Sequence, residues 1–185
     1  VINNIQKSWI KRFLYKKNIN FAKEIILVNS RNYDFLLENK TKISEDYIVH
    51  IDADLNYSQE TELRGKLSGE RIKNHYHYLN KFLEKLSNEF NKKVIVCIHP
   101  SYNLETHQKN LPNFEIIKYK TQDYLYKAYL VTNFDSSAIA DAVILKKKIM
   151  GLVSNFMTKN EISHSKLQSF YNGYAYFNIQ DNLNF

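Results

Sequence analysis

The chain has 185 residues, of which 44% are hydrophobic and 24% are charged, so it is long enough to bury one sizeable core. Its single cysteine excludes an internal disulfide and is typical of a reducing compartment, and no apolar run reaches the roughly 20 residues that a membrane-spanning helix needs. The net charge of +7 allows either a solvated basic surface or attraction to an anionic partner, including the acidic leaflet of the inner membrane.

We predict that the first forty residues form a segment that precedes the main domain. Apolar residues recur on one side of a helix over residues 3–17, and a strand (24–29) and a short helix (34–37) follow. We expect residues 1–40 to be either a remnant of a missing acceptor domain or a link to it, and the start at Val1 rather than Met predicts that the chain is a part of something longer. No signal-peptide pattern is visible. We predict a cytoplasmic protein that could bind the cytoplasmic face of the inner membrane.

We predict that residues 41–155 form the main domain. An apolar stretch, Tyr47–Asp52, reads as a strand, and Gly69–Phe90 predicts a helix because its apolar residues recur at spacings of three and four. Asn91 suits a left-handed helix stop, and the run Val94–Ile98 is a second buried strand. The order strand, long helix, strand is typical of a right-handed parallel crossover.

The rest of the chain repeats this alternation in shorter form. The predicted elements are strand 114–119, helix 121–127, strand 129–133, helix 136–145, strand 149–153 and helix 161–171. Such alternation predicts an α/β fold, a Rossmann-like, open and mostly parallel sheet with helices on both faces. We expect residues 156–185 to form a helical segment that packs back on the domain.

His99 and Pro100 follow the strand Val94–Ile98 directly, in the stretch "KKVIVCIHPSY". Ligands of open α/β sheets bind outside the carboxyl ends of the strands, so His99 is predicted to lie on the ligand-binding edge. Its imidazole could donate to a phosphate oxygen or help to protonate a leaving group. The alternative is a turn histidine that binds a backbone carbonyl. Cys97, inside the strand, is interpreted as a small buried hydrophobe.

The serine pair Ser136–Ser137 opens a predicted helix that is rich in small residues, directly after a strand that ends at Asn133. A helix N-terminus offers unpaired N–H groups and a partial positive charge, which suit a phosphate. An ordinary N-cap is the alternative interpretation. Thr121 is predicted to cap the preceding helix and is a further candidate for contact with a nucleotide.

Asp52 and Asp54 form an Asp-x-Asp pattern after the first strand of the main domain. Metal-dependent transferases of the GT-A type hold a divalent ion with two such carboxylates. Asp52 could instead orient its loop or accept a hydrogen bond from a substrate hydroxyl. His75 and His77 lie two residues apart on a helix, so they do not share a face and are a poor metal pair.

The order of these motifs resembles the nucleotide-binding half of GT-B glycosyltransferases. A strand ending in His-Pro, followed about 35 residues later by a strand and a Ser-Ser pair, is similar to transferases that use CMP-activated sugars, such as bacterial sialyltransferases, Kdo transferases and capsule or lipooligosaccharide proteins. The resemblance covers roughly Tyr47–Val153. It implies that His99, Ser136 and Ser137 hold the donor phosphate.

The resemblance predicts a donor-binding domain of a bacterial surface-glycan glycosyltransferase, with His99 and Asp52 as catalytic candidates. The expected partners are a CMP-linked sugar donor and a glycan or lipid-linked acceptor, with no nucleic acid, metal or other cofactor. A GT-B enzyme needs two Rossmann-like domains and only one fits here, so this chain could bind a donor without turnover. The alternatives are a metal-dependent GT-A-like transferase, a glycerophosphate-polymer transferase, a sugar-nucleotide epimerase, and a non-catalytic basic module that binds an anionic partner.

Overall fold

The computed structural model describes residues 45–52 and 69–181. The elements predicted over residues 3–17, 24–29 and 34–37 lie outside this part of the chain, as does Asp54. No helix within the described ranges is both long and apolar enough to cross a membrane.

The described residues form six strands and five helices in strict alternation over most of the chain. In chain order the elements are β1 (Tyr47–Ile51), α1 (Gly69–Phe90), β2 (Val94–Ile98), α2 (Leu104–Asn110), β3 (Glu115–Lys118), α3 (Thr121–Tyr126), β4 (Ala128–Asn133), α4 (Ile139–Ile144), β5 (Lys148–Val153), α5 (Lys159–Asn172) and β6 (Tyr176–Asn178). The strands make one sheet in the order β3-β2-β1-β4-β5-β6, and every neighbouring pair is parallel. The predicted Rossmann-like α/β fold is confirmed.

Each face of the sheet carries its own apolar core, which explains why the central strands are apolar throughout. Successive strand residues point to opposite faces. Ile48 and Val96 belong to the core that includes Leu79, Leu83 and Leu86 of α1. Their strand neighbours belong to a second core that includes Leu125 of α3 and Ala142 of α4. Helices therefore cover both faces of the sheet, as predicted.

Helix α1 has the bounds that its periodicity predicts, Gly69–Phe90. Its apolar stripe is buried against the sheet while the intervening lysines and glutamates face solvent. Asn91 follows it with φ of 48°, the left-handed conformation that ends a helix and that asparagine tolerates better than most residues. The next strand, β2, begins three residues later, so the crossover is tight.

The structure corrects two predicted helix starts at the candidate site. Helix α4 begins at Ile139 rather than at Ser136, because the Asn133 side chain accepts the Ser136 N–H and the Ser136 hydroxyl accepts the Ala138 N–H. Because of these local hydrogen bonds, the residues before Ile139 form a turn instead of the first turn of the helix. Thr121 does not cap α3: it is the first helical residue, and Lys120 stands at the cap position without a side-chain hydrogen bond.

Two elements are absent from the sequence prediction. Helix α2 buries only His107, so it has no apolar stripe that periodicity could detect. Strand β6 has three residues, too few for a recognisable alternation, and it forms by pairing with β5. The other strands agree with the prediction within one residue, and α5 extends two residues earlier and one residue later than the predicted helix over 161–171.

Candidate functional site

A cleft of about 210 Å³ lies at the carboxyl edge of the sheet. In the sheet, β2 and β3 lie on one side of β1, and β4 lies on the other side. The loops after β1 and β4 therefore diverge, which is where Rossmann-like sheets bind ligands. The cleft wall includes all five residues that the sequence analysis selected and the structure describes: Asp52, His99, Thr121, Ser136 and Ser137.

His99 is held by the residues that directly follow it. Its Nδ1 lies 2.7 Å from the Ser101 hydroxyl oxygen and accepts the Ser101 backbone N–H at 3.2 Å. A nitrogen that accepts a hydrogen bond carries no proton, so the proton of the neutral ring is on Nε2. The ring is exposed and bound to Ser101 rather than to a backbone carbonyl. His99 can therefore present an N–H donor to an anion.

The serine pair lies in the turn between β4 and α4, not in the first turn of a helix. Ser136 is half-buried and Ser137 is exposed. The Ser136 carbonyl accepts a hydrogen bond from Gln168 of α5 at 3.1 Å, which anchors the turn to that helix. Because α4 has only six residues, its dipole adds little, and the hydroxyl groups are the donors that this turn offers.

Thr121 and Cys97 meet on the wall of the cleft, at the start of α3 and the end of β2. Burial raises the pKa of the Cys97 thiol to about 12, and a hydrogen bond with Thr121 only partly opposes this effect. The thiol stays protonated at neutral pH, so it is neither a nucleophile nor a metal ligand there. Cys97 is the buried strand residue that the sequence predicts, and Thr121 adds a hydroxyl group to the cleft.

Asp135 also lines the cleft and was not selected from the sequence. Both of its carboxylate oxygens lie 2.7 Å from Nδ1 of the exposed His164 on α5. No lysine or arginine belongs to the cleft wall within the described residues. An anion in this part of the cleft would be held by hydrogen-bond donors rather than by a cationic side chain.

Beneath the cleft, Asp52 is buried in a polar cluster drawn from β1, α1 and α2. Its Oδ2 accepts a hydrogen bond from the Tyr76 hydroxyl at 3.1 Å and lies 3.0 Å from Nε2 of His107. Its Oδ1 lies 3.5 Å from Nε2 of His50, which is too long for a good hydrogen bond and counts as an electrostatic contact. The other ring nitrogen of His50 lies 2.9 Å from the Thr132 hydroxyl.

The pKa of Asp52 reflects competing effects. Burial by itself would raise the pKa of this carboxyl, but the hydrogen bond from His107 and the electrostatic contact with His50 lower it well below its usual range. Asp52 is therefore a carboxylate at neutral pH. A carboxylate with so low a pKa is a weak base, so its chemistry here is to accept hydrogen bonds and to supply negative charge.

Sequence reasoning missed His50, Tyr76 and His107 as parts of this site. One signal was present: His50 stands two residues before Asp52 on a strand, so both side chains point to the same face. His107 could not be found in this way because it reaches the cluster from α2, which has no apolar periodicity. Its ring stacks on Tyr102, a residue of the cleft wall, with an interplanar angle of 1°.

The structure places His75 and His77 on different faces of α1, as their spacing predicts. His75 is buried and His77 is exposed. Burial lowers the pKa of His75 to about 4, with a small opposing effect from Asp52, so the ring is neutral at physiological pH. Within the ranges that the structure describes, no group of three or more histidine, cysteine, aspartate or glutamate side chains could hold a metal ion.

One solved structure with a similar fold is UDP-GlcNAc 2-epimerase from Methanocaldococcus jannaschii, in complex with UDP-GlcNAc and UDP. The TM-score is 0.52 and the sequence identity is 15%. The similarity covers 91% of this chain and 48% of that protein, so this chain spans about half of its length. At this identity the likeness establishes the fold alone, a GT-B-like Rossmann domain. No protein-family model and no curated protein matches the sequence.

Proposed function

We propose that this chain is the donor-binding domain of a glycosyltransferase-type enzyme and that its cleft binds the phosphate of a nucleotide-activated sugar. The observation that carries the proposal is the cleft itself. It gathers His99, Thr121, Ser136 and Ser137 at the point of the sheet where Rossmann-like folds bind nucleotides. Two resemblances support it independently: the His-Pro and Ser-Ser motifs of the sequence, and the fold of an enzyme solved with a nucleotide sugar.

The chemistry of the cleft favours a phosphate oxygen as the acceptor of these donors. His99 offers Nε2–H, since Ser101 occupies Nδ1, and the cleft wall includes three residues that carry hydroxyl groups. A hydrogen bond to a charged group contributes about 1.5–3 kcal/mol. Two or three such bonds contribute about 3–9 kcal/mol, which is less than micromolar affinity and the cost of association together require, so the nucleoside must make further contacts.

We propose a CMP-linked sugar as the donor, on the strength of the sequence motifs. A uridine nucleotide is the main competitor, because the neighbour of similar fold was solved with UDP-GlcNAc and UDP. A glycan or a lipid-linked sugar at the inner membrane would be the acceptor. Its binding groups would come from a second domain, since this chain spans about half of that neighbour.

A sugar-nucleotide epimerase is the second candidate function. The observation that favours it is the fold likeness to an enzyme with that activity. Incubation with UDP-GlcNAc followed by chromatography of the sugar separates the two proposals, because an epimerase changes the sugar without an acceptor. Release of the free nucleotide only when a glycan acceptor is added would support the transferase.

The test is calorimetric titration of the purified chain with CMP, CDP, UDP and GDP. We expect one nucleotide family to bind, with His99→Ala and Ser136→Ala each weakening it about tenfold or more, since each loses a bond to a charged group. His77→Ala is the matched control, because His77 is an exposed histidine on α1 outside the cleft wall. Its affinity should equal that of the wild type.

Melting temperatures belong to the same experiment. His99 is exposed and Ser136 is half-buried, so neither change opens a core cavity. Ser136→Ala removes one turn bond, which is expected to cost about 1 kcal/mol of stability. Wild-type affinity in both variants would overturn the proposed site, and a loss of stability without a loss of affinity would show that the motif is structural.

A further inference from the structure

Helix α5 turns serine side chains toward the sheet and large apolar side chains toward solvent. The buried hydroxyl groups of Ser165 and Ser169 donate to the backbone carbonyls of Phe134 and Ser165. The large apolar residues exposed on the outer face are Leu167, Phe170 and Tyr171. A surface helix of a globular protein normally has the opposite arrangement, with its apolar face on the core. An exposed apolar face of this kind is typical of an interaction surface.

The close contact between α5 and β5 explains why the inner face carries small residues. Ser169 lies so close to Gly151 of β5 that a Cβ atom at that glycine would overlap the serine hydroxyl oxygen. A helix at this distance from the sheet has no room for aromatic rings on its inner side. The exposed rings of α5 are therefore not residues that failed to enter the core.

Leu167, Phe170 and Tyr171 form one patch, here called the α5 patch, because residues three and four positions apart share a face of a helix. Phe170 is 80% exposed and Tyr171 is 79% exposed, and their ring centroids lie 5.7 Å apart in a T-shaped contact. Rings that stand so far clear of the surface do not line a groove for a peptide. They suit the interfacial region of a lipid bilayer, which takes up aromatic side chains.

The charges around the α5 patch are positive. Lys166 is exposed on α5, and its Nζ lies 5.0 Å from the centre of the Tyr176 ring on β6. No aspartate or glutamate occurs between Ile162 and Gln180. Residues 142–180, which include β5, α5 and β6, contain five lysines and one glutamate, and hence carry +4 of the net charge of +7. An anionic surface is therefore the complementary partner for this part of the domain.

Two further exposed lysines lie at the edge of the sheet where α5 ends. Lys146 and Lys148 stand just before and at the start of β5. Because β6 is parallel to β5 and begins shortly after α5, the last turn of α5 also lies at this amino edge. The cleft lies at the opposite, carboxyl edge. An anionic surface that contacts these lysines would therefore leave the cleft open.

A second copy of the chain is a less suitable partner for the α5 patch. A twofold contact through α5 would bring two identical sets of lysines together, and like charges repel each other.

We propose that the α5 patch inserts into the interfacial region of an anionic phospholipid membrane, and that Lys146, Lys148 and Lys166 contact the lipid headgroups. The inference goes beyond the proposed function and does not depend on the ligand of the cleft. It assigns a surface of the domain to the attraction that the net charge allows.

The test is co-sedimentation of the full chain with vesicles of phosphatidylglycerol and phosphatidylethanolamine, and with vesicles of phosphatidylcholine alone. The wild type should bind the anionic vesicles about tenfold or more tightly than the neutral ones, because several lysines lie near the lipid surface. The double variant Phe170→Ser/Tyr171→Ser should bind the anionic vesicles about tenfold or more weakly than the wild type, because two rings no longer leave water. Lys166→Glu should lose about fivefold or more.

Two variants serve as matched controls. Lys81→Glu changes the net charge as Lys166→Glu does, but Lys81 is exposed on α1, which covers the other face of the sheet. Tyr119→Ser removes a ring that is 70% exposed at the carboxyl edge, directly after β3. Both controls should bind vesicles as the wild type does. If the double variant fails to fold, the comparison of Lys166→Glu with Lys81→Glu decides.

Failure of this inference is distinguishable from failure of the proposed function, because a nucleotide that binds the wild type should bind the double variant equally well. The inference is wrong if the wild type does not bind anionic vesicles, if it binds neutral vesicles as tightly, or if Lys81→Glu and Lys166→Glu lose equally. Sedimentation equilibrium without lipid adds a further outcome. A dimer that the double variant abolishes would make the α5 patch an interface between copies and would overturn the inference.

Discussion

Histidines in this domain show how far the surroundings of one residue type decide its chemistry. His99 is exposed and bound to Ser101, which leaves it a hydrogen-bond donor to the cleft. His107 is buried between two acceptor oxygens and carries a charge. His75 is equally buried, but in contact with the aromatic rings of Tyr76 and Phe134, and it is neutral. None of these states follows from the histidine alone.

His75 leads to a prediction about pH. Burial lowers the pKa of His75 from 6.5 to about 4. Between these two pH values His75 is mostly protonated in the unfolded chain and mostly neutral in the folded protein. The free energy of unfolding should therefore fall as the pH falls from about 6.5 to 4, by up to about 3 kcal/mol from this residue. His75→Leu has a similar volume and cannot be protonated, so it should lack this contribution.

The measurement is urea unfolding of the wild type and His75→Leu at several pH values between 4 and 7.5. The difference in stability between the two proteins should grow in favour of the variant as the pH is lowered. It should be nearly constant above pH 7, where His75 is neutral in both the folded and the unfolded states. Parallel stability curves over the whole range would contradict the assignment.

At the scale of elements, β5 and α5 are in unusually close contact at Gly151. A Cβ atom at this position would lie 2.5 Å from the Ser169 hydroxyl oxygen and 2.9 Å from a ring carbon of Tyr174. Ser169 is buried and donates its hydroxyl hydrogen to the Ser165 carbonyl, so it cannot turn away without losing a bond. Glycine is required here by lack of space, since its φ is not in the left-handed region.

Gly151→Ala should therefore lower the free energy of unfolding by about 1–3 kcal/mol, the usual range for overpacking. Chemical denaturation measures this loss. Gly69→Ala is the control: a Cβ at Gly69 meets no atom within 4 Å, and alanine favours the helix that Gly69 begins. That variant should equal or exceed the wild type in stability. Equal stability of both variants would mean that α5 can shift away from β5 at little cost.

At the scale of the whole molecule, the proposed binding of a phosphate needs no metal, because the candidate donors around the cleft are hydroxyl groups and an imidazole N–H. We expect nucleotide binding to survive chelation by EDTA with its affinity unchanged. Calorimetric titration with and without EDTA, and then with added Mn²⁺ or Mg²⁺, is the measurement. Strict dependence on either cation would favour the alternative in which Asp52 and Asp54 bind a metal.

The net charge of +7 raises another of the alternatives, a basic module that binds an anionic partner without catalysis. The same titrations at increasing salt distinguish it. Binding through the donors of the cleft should discriminate between nucleotides and depend weakly on salt. Affinity that ignores the base and falls steeply with ionic strength would indicate the non-catalytic module.

Local patterns in the sequence determined the alternation of strands and helices, the bounds of α1 and the parallel sheet. The strands were predicted from short, continuous apolar runs and the helices from apolar residues at a period of 3.6, and both patterns can be read in the sequence alone. The position of His99 after β2 and of the serine pair after β4 follows from that order, because parallel strands end at one edge. Their common cleft was therefore predictable from the sequence.

Only the tertiary structure decided what surrounds Asp52. Tyr76 and His107 come from helices 24 and 55 positions later in the chain, and α2 becomes a helix with a single buried residue. The start of α4 and the pairing of β6 depend likewise on contacts that no local pattern records. Burial, charge and hydrogen-bond partners are properties of packed neighbours. The position of the cleft could therefore be predicted from the sequence, whereas the charge and the hydrogen bonds of each residue on its wall depend on the packed structure.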